Sequence, residues 1–473
     1  MKITHKQLFS KGWFTGLVLG LATSTALVYA VIPHTFTSGE IISAKDMNEN
    51  FAELEARFTA LEAVLRIKAG VLNGVNGPHL IIEGVNVHIR SGAGTTDEGG
   101  TLTGLGNLII GYNETPPVLD AGQRAGSHNL VIGRDHRYSS FGGLVAGRRN
   151  TISGTEAIVS GGHGNIASGT SASVSGGFFN AASTSYASVS GGSNNTASGF
   201  AASVAGGGGQ TVADGNVAVA QYSAILGGSR NTASGDAASV SGGDSNTASG
   251  FRASVSGGIN NIASGQWTSV SGGHENNASG DAASVSGGHK NTAGGSNASV
   301  SGGVSNTANG LQASISGGSS NAASGSFAGV SGGRGNSASG DWASISGGEN
   351  NSANGEKASV SGGANNSASG FVASVSGGDS NTASFNAASV SGGLLNTATR
   401  YAASISGGNS NTASADAASV SGGAANTASG LGASVSGGAS NTAGGFNASV
   451  SGGHQRSASG LHDWVAGALF QDN

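Results

Sequence analysis

Residues 238–252 read ASVSGGDSNTASGFR, and the next fifteen read ASVSGGINNIASGQW. The fold turns on this pair. A residue that is always Val or Ile recurs at fifteen-residue steps, from Val240, Val255, Val270 and Val285 to Val465. A slot that accepts only β-branched apolar residues is a buried strand position. Ala238 and Ala253 lie two residues earlier, on the same face of an extended chain. Ala248 and Ala263 form a third apolar column. Each repeat therefore supplies two short strands, ASVS and NTAS, with Ser and Thr directed outward. The pairs Gly242-Gly243 and Gly257-Gly258 suit a sharp corner with positive φ. Gly250 and Gly265 mark a second, looser corner, where Phe385, Arg400 and Ala415 stand later in the chain. Asn246, Asn261, Asn276 and Asn291 occupy one turn slot, and the column runs on to Asn441 before Arg456 ends it. Side-chain amides stacked in this way make a hydrogen-bonded ladder.

A fixed period with one supersecondary unit per repeat is a solenoid. The expected fold is all-β, a parallel β-solenoid with one fifteen-residue coil per rung. Weaker rungs extend upstream, at LVAGRRNTISG (144–154), NLVIG (129–133) and NLIIG (107–111). The stretch after Ser203 carries six extra residues. Each coil contributes only one Val and two Ala, so the core is thin, and this favours several chains side by side.

Composition removes several classes. The 473 residues include 87 Gly, 4 Pro and no Cys, with 10% charged residues and a formal net charge of -5. Glycine lacks the every-third-residue spacing of collagen, and low charge does not fit ordinary disorder. Without cysteine there are neither disulfides nor thiolate metal sites. A slightly acidic chain with no basic stripe along its repeats is not a nucleic-acid binder.

The chain divides into six stretches. Residues 1–30 carry Lys2, Lys6 and Lys11 ahead of an uncharged run ending at Val28-Tyr29-Ala30, the pattern of a secretory signal peptide. The alternative is an uncleaved N-terminal anchor, which would be the only membrane contact. A linker (31–42) leads to a coiled-coil stalk (43–69), in which Ala44, Met47, Phe51, Leu54, Phe58, Leu61 and Leu65 alternate by three and four. Ser43 and Asp46 form a capping box at its start. A β region with degenerate coils (70–143), the regular repeats (144–465) and a short tail (466–473) follow.

The repeats resemble the YadA-like head repeats of trimeric autotransporter adhesins, whose motif is similar to SVAIG…A.A.G..A. The resemblance spans Asn107 to Val465 and rests on Val255, Gly257, Gly258, Ala263, Gly265 and their counterparts. It implies a left-handed parallel β-roll, a homotrimer, and attachment to a cell-surface protein or glycan. The location it implies is extracellular or on a bacterial surface, outer membrane or periplasm. Two departures stand out. The sequence ends LHDWVAGALFQDN with no alternating ten-residue strands of a β-barrel anchor, and its helix precedes the roll. This polarity fits an N-terminal anchor or a phage tail-fibre-like assembly.

No catalytic residue, cofactor site or metal site is expected. His274, His289 and His454 share one turn slot, but Asp244, Ile259, Val304 and Leu394 fill it elsewhere. Asp135, His136, Arg137 and Ser139 are a local polar cluster. Variable turn residues are better candidates for ligand contact: Phe251, Trp267, Phe327, Trp342, Phe371, Tyr401 and Phe446. Their alternative role is packing against neighbouring coils or chains. The functional expectation is a non-enzymatic fibre for adhesion or spacing. Its alternative is a monomeric solenoid whose Thr face, interrupted at Ile262, Asn277 and Ala322, binds a regular surface such as ice or polysaccharide.

Overall fold

A computed structural model describes residues 33–115 and 122–466. The signal or anchor segment (1–30) and the tail from 467 onward lie outside the described residues. The chain forms two units, residues 1–88 and 89–473.

In the first unit, helix α1 (Ala44–Val64) begins at Ser43, whose Oγ accepts the Asp46 N–H at 3.1 Å. The helix stops short of the expected stalk boundary at 69. Leu65 and Ile67 instead enter strand β1 (Leu65–Leu72), which pairs antiparallel with β2 (Val75–Ile82). Asn73 and Gly74 join the two strands with φ of 51° and 81°. Two consecutive left-handed residues of the Asn-Gly type match the right-handed twist of a hairpin, and they draw the preceding residues out of the helix. No residue of α1 is buried. The apolar seam Met47, Phe51, Leu54, Phe58 and Leu61 is 40–60% exposed.

The second unit is a parallel β-solenoid of about 22 turns. One ladder starts at Leu108–Ile110, passes through Leu130–Arg134 and Leu144–Arg148, and continues in two-residue rungs such as Ser239–Val240 to Trp464–Val465. A second ladder runs from Arg137–Tyr138 through Thr247–Ala248 to Ser457–Ala458. A third line consists of single bridge residues just after the glycine pair, from Arg148 to His454. Backbone hydrogen bonds join each coil to the next at all three places: Ser239 N–H to Ala253 O, Asp244 N–H to Gly258 O and Thr247 N–H to Asn261 O, at 2.8–2.9 Å.

The core is closed within one chain. Val240, Ala238 and Ala248 are 1%, 0% and 0% exposed, and their counterparts Val255, Ala263, Val270 and Val285 are equally buried. Where Thr268 takes the Ala238 slot, its Oγ1 donates to Gly265 O at 2.8 Å, which removes the cost of burying a hydroxyl. The Asn ladder is also interior: Asn246, Asn261, Asn276 and Asn291 have no exposed surface.

The corners differ from the sequence expectation. In most pairs only the second glycine is left-handed, as at Gly243 (φ 87°) and Gly258 (φ 88°). A Cβ at Gly242 or Gly257 would meet nothing within 4 Å. At Gly243 it would lie 2.1 Å from Gly258 O and 2.5 Å from Asn246 Nδ2. Gly250 has no positive φ; it is small because a Cβ there would fall 1.8 Å from Gly265 O. The remaining left-handed positions are the variable residues Ser245 (φ 58°) and Arg252 (φ 54°) and their equivalents. Those slots vary in chemistry while sharing one strained backbone state.

The six extra residues after Val204 are absorbed locally. Ser203–Val204 pairs directly with Ala224–Ile225, and the excess forms a single 3-10 turn at Val212–Asp214. Thr211 N–H and Oγ1 both donate to Asp214 Oδ2, at 3.1 and 2.8 Å.

Candidate functional site

The second corner, between a Thr-Ala rung and the next Ser-Val rung, exposes two adjacent residues per coil. One slot carries Phe251, Phe371, Tyr401 and Phe446; the next carries Trp267, Phe327 and Trp342. The second slot is left-handed throughout, with φ of 54°, 59° and 55° at these three aromatics. The sequence expectation treats the aromatics as one series. The structure divides them between two columns, and rings from neighbouring coils meet both across the columns and within one. Phe251 and Trp267 meet edge to face at 5.9 Å, while Phe327 and Trp342 stack at 5.3 Å with planes 1° apart. Upstream, Tyr186, Phe200 and Tyr222 form a third run, with centroids 5.5 and 5.7 Å apart.

Two cations complete this edge that sequence reasoning did not single out. Arg252 Cζ lies 5.0 Å from the Phe251 ring centre. Lys357 Nζ lies 5.4 Å from Trp342 and 5.3 Å from Phe371. Their signal in the sequence was positional: each shares a corner slot with an aromatic or directly follows one at fifteen-residue spacing. Phe327, Trp342, Lys357 and Phe371 thus form a continuous strip over four coils. Its rings are 41–50% exposed. Tyr401 stands apart from this strip, 56% exposed. Ring faces and cations on a rigid backbone can stack sugar rings or aromatic side chains.

The first corner carries the histidines. His274 and His289 are bridge partners whose rings stack at 5.0 Å, and Glu275 lies 3.2 Å from His274 Nε2. One ligand atom from each of the three falls within 4.8 Å of the others. Lys290 Nζ, 3.4 Å from Glu275, competes for that carboxylate.

The polar cluster around His136 is structural. His136 is fully buried and occupies the ladder slot that Asn150 fills one coil later. Its Nε2–H donates to Ile132 O at 3.0 Å, and its Nδ1 accepts the Asn150 N–H at 3.3 Å. Burial pushes the imidazole below its ordinary value.

In the first unit, residues 34–36 lie along α1. His34 and Asn50 exchange hydrogen bonds at 2.8 Å. His34, Phe36, Phe51, Leu54 and Arg57 border a mostly apolar groove of about 550 Å³. Among the described residues, no helix is long and apolar enough to cross a membrane. Comparison with known protein families and with curated proteins finds no match.

Proposed function

We propose that this protein is a secreted or cell-surface fibre that serves attachment or acts as a spacer, without catalysis. The observation that carries this reading is the division of labour within each coil. Val, Ala, Asn and Gly are spent on a uniform interior over about 22 turns, and chemical variety is confined to two exposed edges. Such a body displays side chains along a line. The aromatic and cationic strip at the second corner is the attachment face, and its partner is a cell-surface protein or glycan.

The fibre is a homotrimer whose α1 helices form a coiled coil and whose repeats form left-handed rolls. Support comes from the exposed seam Met47, Phe51, Leu54, Phe58 and Leu61, which a three- or four-residue spacing places on one stripe. Light scattering on the full chain tests the assembly. Three copies of 45.3 kDa are expected, falling to one in a Leu54→Asp, Phe58→Asp variant. A wild-type monomer overturns it.

A second reading is favoured by the completeness of the core in a single chain. A monomeric solenoid would present Thr247, Thr292, Thr307, Thr382 and Thr397, half-buried on one outer face, to ice or an ordered polysaccharide. Thermal hysteresis of the monomer would establish it.

A further inference from the structure

The first-corner edge has a distinct character near the start of the solenoid. Over four successive coils its two outward slots read Arg134-Asp135, Arg148-Arg149, His163-Gly164 and Phe178-Phe179. Arg134 and Arg148 are register partners, and Arg148, His163 and Phe178 follow one another as bridge partners. The N–H groups of Arg149, Gly164 and Phe179 donate to the carbonyls of Arg134, Arg148 and His163 at 3.0–3.1 Å. The backbone therefore fixes where all of these side chains start.

Three guanidinium groups share one carboxylate. The Nε atoms of Arg134, Arg148 and Arg149 lie 4.0, 3.8 and 3.7 Å from Asp135 Oδ2. These distances are too long for hydrogen bonds, so the terminal nitrogens remain available. The arginine side chains are 51%, 45% and 41% exposed, against 11% for Asp135. The cluster carries two uncompensated positive charges in a chain with only 20 basic residues. Arg148 and Arg149 stand on one coil and His163 on the next, and the coil after that offers an aromatic platform. Phe178 and Phe179 meet at 4.3 Å, with His163 5.3 and 5.6 Å from them. The two phenylalanines are 43% and 50% exposed. Nε2 of His163 is buried without a hydrogen-bond partner. Burial, with Arg148 and Arg149 adding to it, holds His163 below its ordinary value.

We propose that Arg134, Arg148, Arg149, Phe178 and Phe179 form a binding site for an acidic glycan. The sulfate or carboxylate of one sugar takes the guanidinium forks, and a neighbouring pyranose lies on the phenylalanine pair. Planar forks recognise such acid groups in bidentate fashion. The coil spacing of about 4.8 Å is of the order of one sugar unit, so an extended chain can follow the edge. A nucleic acid fits less well, because the cations span only two coils and enclose a carboxylate. This deepens the attachment reading by naming a ligand class, and needs neither the trimer nor the second-corner strip.

Calorimetric titration of the full chain tests the site, with a sulfated heparin tetrasaccharide in one arm and a tetragalacturonate in the other. Binding in at least one arm is expected, weakened tenfold or more by Arg148→Lys, which keeps the charge but loses the fork. Phe179→Ala should weaken it several-fold. Unchanged far-ultraviolet circular dichroism would show that both variants remain folded. No binding in either arm overturns the proposal. So does equal binding of a single-stranded oligonucleotide, or binding that neither variant changes. If inorganic sulfate competes fully and Phe179→Ala has no effect, the site is a simple anion site and the glycan assignment falls. Trimer mass and attachment through the second-corner strip are read separately and can stand while this site fails.

Discussion

Asn246 Oδ1 accepts the backbone N–H of Asn261 at 2.9 Å, one full coil away. The Asn246 amide nitrogen in turn donates to Gly242 O and Gly258 O, both at 2.9 Å. One buried side chain therefore satisfies three backbone groups at the tightest corner of the solenoid, and the same geometry recurs from Asn165 to Asn441.

Replacing Asn291 with Ala should leave Gly287 O and the Asn306 N–H without their partners, while Gly303 O keeps the His289 N–H at 2.9 Å. Buried unpaired groups cost about 1–3 kcal/mol each, so a loss of about 2–6 kcal/mol is expected. Because repeat stability is set by nearest neighbours, the loss should be local. Hydrogen exchange should accelerate in the coils around 285–306 and remain unchanged near 400.

The two glycines of one corner should respond oppositely. Gly242→Ala meets open space and should leave the denaturation midpoint unchanged. Gly243→Ala combines a φ of 87° with a 2.1 Å approach to Gly258 O and should destabilise strongly, by about 2–4 kcal/mol. Equal effects in chemical denaturation would refute the assigned geometry.

His136 should make the N-terminal coils acid-sensitive. Its folded pKa lies below the ordinary 6.5, so above that value the ring is neutral in both states and stability is at its maximum. As pH falls through 6.5 the unfolded chain takes up the proton first, and stability declines until the folded ring also titrates. His136→Asn, which offers one acceptor and one donor to the same partners, should flatten this decline. Unfolding midpoints between pH 7.5 and 5 compare the two.

Removing the ring at Trp342 should act on recognition more than on folding. Trp342 is 50% exposed, and its ring stacks on Phe327 and meets Lys357. Trp342→Ala should shift the unfolding midpoint by less than about 1 kcal/mol and reduce attachment of protein-coated beads to target cells. Undiminished attachment would assign the strip to packing.

The period, the core and the ladder were legible in the sequence because a solenoid repeats one local solution. Val240, Ala248 and Asn246 recur at a fixed interval, and each slot admits only residues that fit it. The helix was legible from its seam, yet its end was not. Leu65 satisfies both the heptad and the alternating pattern of a strand, and the Asn73-Gly74 turn decides between them. Gly242 and Gly243 look equivalent in the sequence because both never vary, whereas one is held by φ and close approach and the other touches nothing. The site residues were the least legible. Arg134, Arg148 and Arg149 belong to coils of unequal length, so no fixed period aligns them. Phe251 and Trp267 sit sixteen residues apart, in adjacent columns. Stacking of successive coils at strand spacing is what makes residues of different repeats neighbours. The sequence determined which side chains face in or out; the tertiary structure decided which outward ones meet.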